Sequence, residues 1–420
     1  MMNLDGTADV TIPRLASPTR VRDWVLTAAL ASALLAALAS AVTVTGTLVA
    51  EDAGATPKAY HVFIIVAGVA ALLRGRIARP RVELLLYFAV MIAATLLAYL
   101  VYEPRVAGLK LLIAFYSALV GASVARTVRP EVILRACRLA AVGFLMLVSG
   151  KNAQHVPEFI AYYARPFGHP DVPSLAGGGL NLEATWLALS SIFAIGTTLF
   201  VPVVVIAAAT SALYASRAGL VVAAMAVCAA LAHTWGGRRH EAGDDESRLA
   251  RARRRRFFTA LFAVLALGAA GAALRTVQDY GATQYVAERF STIGEEPGSL
   301  GRLTLWRGGL RVFAEHPLGV GSGNSVPVLK RVLGVDLPED NLHNVYLQHA
   351  VEAGLPGLAA LLIFSVMVLR RVVAVRFRDQ LLLFVAGYLV VGAIQFTGVD
   401  VMFWLVYGLQ SGQVGVVHDA

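Results

Sequence analysis

The sequence predicts an all-α, polytopic integral membrane protein with about twelve transmembrane helices. Of its 420 residues, 57% are hydrophobic and only 15% are charged, and the mean hydropathy is +0.67. A soluble globular protein could not cover so much apolar surface with polar groups. Apolar runs of membrane-spanning length recur along the chain. Because water is absent from the bilayer core, each run must satisfy its own backbone hydrogen bonds as a helix.

The predicted spans follow one another from residue 22 onwards. The first run, 22–46, comes after several arginines and is longer than the core of a cleavable signal peptide, so we interpret it as a retained span. The runs on either side of Pro202 are short, and the last two are separated only by residues 398–400. The remaining candidates are 59–74, 82–102, 107–125, 132–149, 183–199, 200–215, 218–235, 257–275, 344–369, 380–398 and 400–415.

Arginines mark the connections that we expect to be cytoplasmic. If the N-terminus is cytoplasmic, every even-numbered connection is basic, with arginines in 74–81, 126–138, 238–256 and 370–378. This alternation agrees with the positive-inside rule and accounts for most of the +9 net charge. The sequence therefore predicts membrane lipids as surroundings and no nucleic-acid partner, and the basic run 238–256 is interpreted as a solvated connection.

The same alternation predicts three parts of the chain. Residues 1–275 hold membrane helices 1 to 9, residues 276–343 form a large loop with short amphipathic helices, and residues 344–420 hold membrane helices 10 to 12. The large loop and the connection 150–182 are predicted on the side opposite the basic connections. Loops of this length on a rigid scaffold usually carry binding or chemistry.

One part of the large loop has helical periodicity. Four large apolar residues recur there at helical spacing: Leu303, Trp306, Leu310 and Phe313. Arg302 and Arg311 are expected on the other face. The pattern predicts a short amphipathic helix that lies on the membrane surface or caps the bundle.

Other arginines occur on the side where the positive-inside rule does not expect them. Ser216 and Arg217 lie at the junction of two spans, where an arginine is unfavourable unless it faces a polar cavity or reaches the interface. In the loop, Arg289 is followed by Arg302 and Arg307. The planar guanidinium suits a diphosphate or a carboxylate. The alternatives are a snorkelling Arg217 and loop arginines paired with nearby glutamates.

A histidine opens the segment "HNVYLQHAVEAGLPG" at the start of a late span. His343 and Asn344 are followed after nine residues by Gly354 and, two residues later, by Gly357. Pro356 is expected to bend or interrupt the helix. A single histidine at a helix start is usually a capping or interfacial residue, and catalysis is the alternative.

The sequence indicates neither a metal site nor a cofactor. His349 and Glu352 could share a helix face, but no second cluster of histidines or carboxylates accompanies them. Cys137 and Cys228 suit neither a disulfide nor a metal framework. The glycines of "GVGSGN" at 319–324 lack the features of a phosphate loop and are interpreted as a flexible turn.

Taken together, these features resemble the O-antigen ligase family and its superfamily of O-antigen polymerases and protein O-oligosaccharyltransferases. The resemblance is most specific at "HNVYLQHAVEAGLPG" and is supported by "SRAG" and "GRLTLWRGGLRVFAEHPLGVGSGN". It implies a metal-independent glycosyltransferase of the C-type membrane architecture, in the bacterial inner membrane, with its active site facing the periplasm. Such a ligase joins an O-antigen glycan carried on undecaprenyl diphosphate to a sugar hydroxyl of lipid A-core.

The resemblance also implies roles for individual residues. His343 matches the essential histidine and Arg217 the essential arginine, while Arg289 and Arg302 could each match the loop arginine. Asn344 is a further candidate for substrate binding, as is Arg307.

These residue types suit that chemistry. A neutral imidazole that takes the proton of the acceptor hydroxyl could contribute roughly 10²–10⁴-fold. Arginines can hold the diphosphate and stabilise the charge that develops as the anomeric bond breaks. A single displacement would invert the anomeric centre. Glu339 and Asp340 are possible partners that orient His343.

Rival functions differ in the acceptor. A polymerase would use the same groups but extend a second lipid-linked repeat, and a protein-glycosylating relative would modify a polypeptide. A polytopic exporter or flippase could also hold a lipid diphosphate with arginines, but it would form no glycosidic bond.

Overall fold

The computed structural model describes residues 18–44, 57–73, 77–78, 80–163, 172–238, 297–334 and 341–413. These residues form α-helices and two short 3₁₀ turns, and no β-strand occurs among them beyond a single bridge between Thr43 and Lys58. The all-α prediction is confirmed for this part of the chain. In chain order, helices α1 to α14 are Pro18–Leu38, Ala59–Leu73, Val82–Ala98, Leu109–Ala125, Pro130–Gln154, Val156–Tyr163, Leu180–Ser190, Phe200–Leu213, Arg217–Arg238, Pro297–Glu315, Ser325–Leu333, Val345–Ala374, Gln380–Val391 and Val401–Gln413.

The helices have the apolar character that a bilayer requires. Three are long and apolar enough to cross a membrane, judged by length and composition: Pro130–Gln154, Arg217–Thr234 and Val345–Ala374. Shorter apolar helices lie beside them, and large side chains such as Leu73 and Met146 are 82% and 68% exposed on the outer surface. Exposed apolar surface of this kind suits lipid contact. The protein is a multi-pass membrane protein; the count of twelve spans stays a prediction, and span 257–275 lies outside the described residues.

Small residues and aromatic rings hold the core together. Helices α4 and α14 pack so closely that a side chain at Gly121, Gly408 or Gly412 would overlap the backbone of the other helix. Close backbone approach of this kind is a common way for helices to associate in membranes. Next to this contact, the ring of Trp404 lies 5.0 Å from that of Tyr87, which joins α14 to α3.

The predicted span 183–199 is not one continuous helix. Helix α7 ends at Ser190, and a 3₁₀ turn follows at 191–194 before Gly196 takes a positive φ of 83°. The hydroxyls of Ser190 and Ser191 bond to carbonyls three residues back, which favours the tighter turn. With 11 residues, α7 is only about 16 Å long and is too short to cross a bilayer.

The two ends of the bundle differ in their polar residues. At one end, the start of α3 meets the end of α12, where Glu83 accepts a hydrogen bond from Arg371 and lies 3.7 Å from Arg81. His343 precedes the other end of α12, so it lies at the opposite end of the bundle. This arrangement agrees with the predicted alternation of basic and non-basic connections.

Candidate active site

The turn that carries Arg217 is built by the sequence "YASRAG". Ala215 takes a positive φ of 49°, and the hydroxyl of Ser216 then accepts a hydrogen bond from the Gly219 amide at 3.2 Å. Ser216 therefore caps α9, which begins at Arg217. Gly219 is required because a side chain there would overlap Ser211 of α8. Arg217 is half-buried at this helix start.

His343 lies in a short turn with an unusual backbone conformation. Its φ is +50°, and its amide donates to Asn341 Oδ1 at 2.8 Å. Asn344 follows as the cap of α12, because its Oδ1 accepts from the Leu347 amide at 3.0 Å. The predicted orienting partners at 339 and 340 lie outside the described residues.

Three neighbouring segments fix the turn around His343. The Leu342 amide donates to Gln348 Oε1 at 3.0 Å, and the Leu342 carbonyl accepts from Trp306 Nε1 at 2.9 Å. The amide of Val345 donates to the Gly392 carbonyl at 2.7 Å. A left-handed residue that is not glycine persists only when its surroundings determine it, and such residues cluster at functional sites.

Helix α10 brings Arg302 to the same neighbourhood. Arg302 Nη2 donates to Gln395 Oε1 at 3.4 Å, three residues after the Gly392 that binds Val345. Trp306, on the same side of α10, contacts Leu342. The loop turn with His343, the Arg302 side chain and the segment 392–400 therefore lie together, whereas Arg289 is outside the described residues.

The face of α10 that packs against the protein only partly matches the predicted one: Trp306 and Phe313 pack against the buried cluster, as predicted. Leu305 and Val312 are fully buried, while the predicted Leu303 and Leu310 are 37% and 57% exposed. Gly308 and Gly309 explain the difference. A side chain at Gly308 would overlap Leu329, so the two glycines allow this face of α10 to approach the neighbouring segments closely. A prediction based on large apolar residues does not detect such a face.

The arginines of α10 point to different sides. Arg302 lies on the inner side, not on the outer face predicted for it, whereas Arg311 is exposed and pairs with Glu315 at 2.9 Å. Arg307 is exposed as well. Its predicted role in substrate binding stays a prediction.

Helix α12 is interrupted at Gly354, in agreement with the predicted irregularity. Gly354 has φ 66° and ψ −160°. Near this break, the carbonyls of Val351 and Glu352 bond to segment 317–321 instead of to their own helix. Val351 accepts from the Val320 amide at 2.9 Å, and Glu352 accepts from the Gly321 amide at 2.8 Å. The glycine-rich segment 317–321 thus fills the break in the helix. The break itself occurs at the glycine, two residues before Pro356.

Buried polar residues of α12 connect this break to the His343 turn. Glu352 Oε1 accepts from the Gly323 amide at 3.0 Å, from Ser325 Oγ at 2.9 Å and from Gln348 Nε2 at 2.5 Å. The side-chain oxygen of Gln348, Oε1, accepts a hydrogen bond from the Leu342 amide. A buried carboxylate with three donors is well satisfied. Through Gln348, Glu352 also helps to fix Leu342 in the segment that precedes α12.

His349 is occupied by two protein partners. Nδ1 lies 2.7 Å from the Val345 carbonyl, and Nε2 lies 2.5 Å from the Tyr87 hydroxyl. A carbonyl can only accept, so Nδ1 carries the proton and Nε2 accepts from the tyrosine. In this arrangement neither nitrogen is open to substrate. Among the described residues, no group of three or more histidine, cysteine or acidic side chains is arranged for a metal ion.

A cavity of about 650 Å³ opens beside these loops. Its polar lining includes Lys58, His61, Lys110 and Asp400, which the sequence analysis did not select. Ile64, Ile65, Leu109 and Ile113 line its apolar part. The signal that could have found the two lysines is their position at the far-side starts of apolar helices, where charge is unfavourable without a function.

Helix α7 and the segment 392–400 connect the cavity to the two predicted catalytic residues. Leu182 and Trp186 of α7 line the cavity, and the Asn181 carbonyl accepts from Ser216 Oγ at 3.5 Å. The ring of Trp186 lies 4.6 Å from that of Phe396. The Arg217 turn and the His343 turn therefore lie at the same end of the bundle, although neither residue lines the cavity itself.

Asp400 is held in place within the same segment. It accepts hydrogen bonds from the Tyr388 hydroxyl, from Thr397 Oγ1 at 3.2 Å and from the Gly398 amide at 3.2 Å. It adds a fixed negative charge to the cavity wall.

Comparison with known families supports one interpretation of the sequence. Residues 202–362 match the family model described as O-Antigen ligase. The match supports assignment of this region to the O-antigen ligase family. The matched region contains Arg217, Arg302, His343 and the break in α12 at Gly354. No curated protein matches the chain significantly. The match supports an enzyme related to glycan ligases and polymerases.

Proposed function

We propose that the protein is an O-antigen ligase. It transfers an O-antigen glycan from undecaprenyl diphosphate to a sugar hydroxyl of lipid A-core at the periplasmic face of the bacterial inner membrane. One observation carries the proposal: the family domain contains both Arg217 and His343, and their turns lie at the same end of the bundle beside a cavity with charged walls.

His343 is the proposed general base. One imidazole nitrogen takes the proton of the acceptor hydroxyl while the oxygen attacks the anomeric carbon. The bond to the diphosphate breaks on the opposite side, and the configuration of the sugar inverts. Proton transfer of this kind contributes roughly 10²–10⁴-fold. The bonds that fix Leu342, Asn344 and Val345 support this role, because they hold the backbone from which the imidazole projects.

Arginines supply the positive charge that the leaving group needs. Arg217 is proposed to bind the diphosphate through two parallel hydrogen bonds, and Arg302 or Arg289 to stabilise the charge that develops as the bond breaks. Asn344 Nδ2 can donate to a sugar hydroxyl, since the cap uses only its Oδ1. Arg307, on the outer side of α10, would contact only a large acceptor that extends over this helix.

The cavity suits the lipid-linked donor. Its apolar part, with Ile64 and Ile113, can hold the first isoprene units, and Lys58 and Lys110 provide positive charge for the phosphates. A lipid diphosphate has the same combination of a long apolar chain and a charged end.

The identity of the labelled acceptor tests the function. Purified protein in lipid vesicles receives undecaprenyl diphosphate carrying radiolabelled glycan, together with lipid A-core. We expect the label on lipid A-core, and none there with His343→Ala. Label on a second lipid-linked repeat would indicate a polymerase, and label on a polypeptide would indicate a protein O-oligosaccharyltransferase. Glycan carried across the vesicle membrane without a new glycosidic bond would indicate an exporter.

A further inference from the structure

A buried polar cluster lies next to the Arg217 turn. Lys151 Nζ at the end of α5 lies 2.5 Å from Glu183 Oε1 of α7, and Glu183 is fully buried. The Tyr214 hydroxyl donates to the same oxygen at 2.6 Å and lies 2.6 Å from Asn152 Oδ1. A buried ion pair contributes little net stability, because losing water from both charges offsets their attraction. Stability alone therefore does not account for this cluster.

The second oxygen of Glu183 holds the wall of the cavity. Glu183 Oε2 accepts from the Leu175 amide at 2.5 Å and from Ser174 Oγ at 3.3 Å. Two residues further on, Gly177 lines the cavity and donates its amide to Ser40 Oγ at 2.9 Å. One carboxylate thus connects the cavity wall with α5 and with Tyr214.

Tyr214 connects the cluster to Arg217. It directly precedes Ala215, whose left-handed backbone reverses the chain, and Ser216, which caps the helix that starts at Arg217. The ring of Tyr214 stacks on Phe159 at 5.7 Å, and Lys151 Nζ lies 5.2 Å from the ring centre. The last residue before the left-handed turn is therefore held by its hydroxyl and by contacts of its ring.

We propose that Lys151, Glu183 and Tyr214 are positioning residues that set the direction of Arg217 toward the donor diphosphate. Lys151 pairs with Glu183, Glu183 orients the Tyr214 hydroxyl, and Tyr214 fixes the backbone from which Arg217 projects. None of the three needs to touch the substrate. The inference rests on the proposed role of Arg217 in binding the diphosphate.

Tyr214→Phe is the variant that tests this network. It removes one hydroxyl and keeps the ring packing, whereas Glu183→Gln would leave the Lys151 charge in the bundle without a counter-ion. Tyr407→Phe is the matched control, because the Tyr407 hydroxyl donates to the half-buried Glu83 at 3.3 Å at the other end of the bundle. We expect Tyr214→Phe to weaken the binding of undecaprenyl diphosphate about tenfold and Tyr407→Phe to leave it unchanged.

A double mutant separates positioning from general destabilisation. If Tyr214 acts through Arg217, adding Tyr214→Phe to Arg217→Lys should weaken binding no further. Losses that simply add would overturn the proposal. Donor affinity that Arg217→Lys leaves at the wild-type level would instead contradict the proposed function.

The position of residue 217 can also be measured without substrate. Nitroxide labels are attached to cysteines at 217 and at the exposed residue 314 in the full chain, with Cys137 and Cys228 replaced. We expect a broader distance distribution with Tyr214→Phe and an unchanged one with Tyr407→Phe. An unchanged distribution with Tyr214→Phe would refute the positioning role, whatever the outcome for the proposed function.

Discussion

Left-handed residues other than glycine stand at both turns of the proposed site. Ala215 has φ 49° and His343 has φ 50°, and Phe396 in the adjoining segment has φ 71°. Each such residue costs of order 1–3 kcal/mol. In all three places, neighbouring hydrogen bonds or ring contacts hold the backbone. The fold thus fixes the starting points of the side chains that we propose to act on the substrates.

Arg217→Lys tests whether this arginine binds phosphate or merely reaches the membrane interface. The substitution keeps the charge but replaces a planar group that can make two parallel bonds by a point charge. We expect transfer to fall at least tenfold, measured as glycan joined to lipid A-core. Arg311→Lys is the control, since Arg311 forms only an exposed pair with Glu315. Equal activity of both variants would assign Arg217 to the interface.

At the scale of single elements, the break in α12 organises the site. Segment 317–321 fills the break, and Glu352 and Gln348 extend its order to the His343 turn. Gly319 and Gly354 allow the two backbones to touch, because a side chain at either position would overlap the other segment. This contact explains why position 354 is a glycine.

Gly354→Ala should therefore damage both stability and transfer. Its φ and ψ lie in a region that only glycine adopts readily, so we expect a loss of about 1–3 kcal/mol from the backbone alone, besides the overlap with Pro317. Thermal unfolding in detergent measures the change. Gly150→Ala is the control: Gly150 lies in α5 with nothing near its added Cβ, and alanine there should be neutral or stabilise by about 0.5–1 kcal/mol. If the Gly354→Ala protein were as stable as wild type, α12 would not require the glycine conformation at this position, which would contradict this account.

The sequence predicted elements better than contacts. Apolar runs located the membrane helices because hydropathy is a local property, and the motif after His343 located the irregular helix. The packed face of α10 depended on small residues, whose effect appears only when a neighbouring helix approaches. The end of α7 depended on two serine hydroxyls that bond to nearby carbonyls of the same chain segment. Glu183 and Asp400 were missed for a related reason: each looked like a single polar residue at the edge of an apolar run, and their partners come from distant segments.

At the scale of the whole molecule, arginines collect at the end of the bundle away from His343. The ion pairs of Glu83 with Arg81 and Arg371 lie there, and so do the exposed Arg376 and Arg378. From the positive-inside rule, we expect this end to be cytoplasmic and the proposed site to be periplasmic.

Cysteine labelling tests this orientation. Ala374 ends α12 at the arginine-rich end, and Ala314 lies near the end of α10 at the other; both are exposed. In a variant without native cysteines, an impermeant thiol reagent added to intact cells should label Ala314→Cys and not Ala374→Cys until the inner membrane is opened. Labelling of both residues from the same side would contradict the predicted topology, and labelling of Ala374→Cys alone would show that the orientation is reversed.

The central claim is that His343 takes the proton of the acceptor hydroxyl. Its most direct test is the rate of glycan transfer by purified His343→Gln and His343→Asn proteins with bound donor. Neither amide can take the proton, and asparagine tolerates the left-handed backbone at this position. We predict donor binding close to wild type and transfer at least about 100-fold slower in both variants. Wild-type transfer should also slow as the pH is lowered, because a protonated imidazole cannot act as a base. Near-normal transfer by either variant, with the pH dependence of the wild type, would contradict the account.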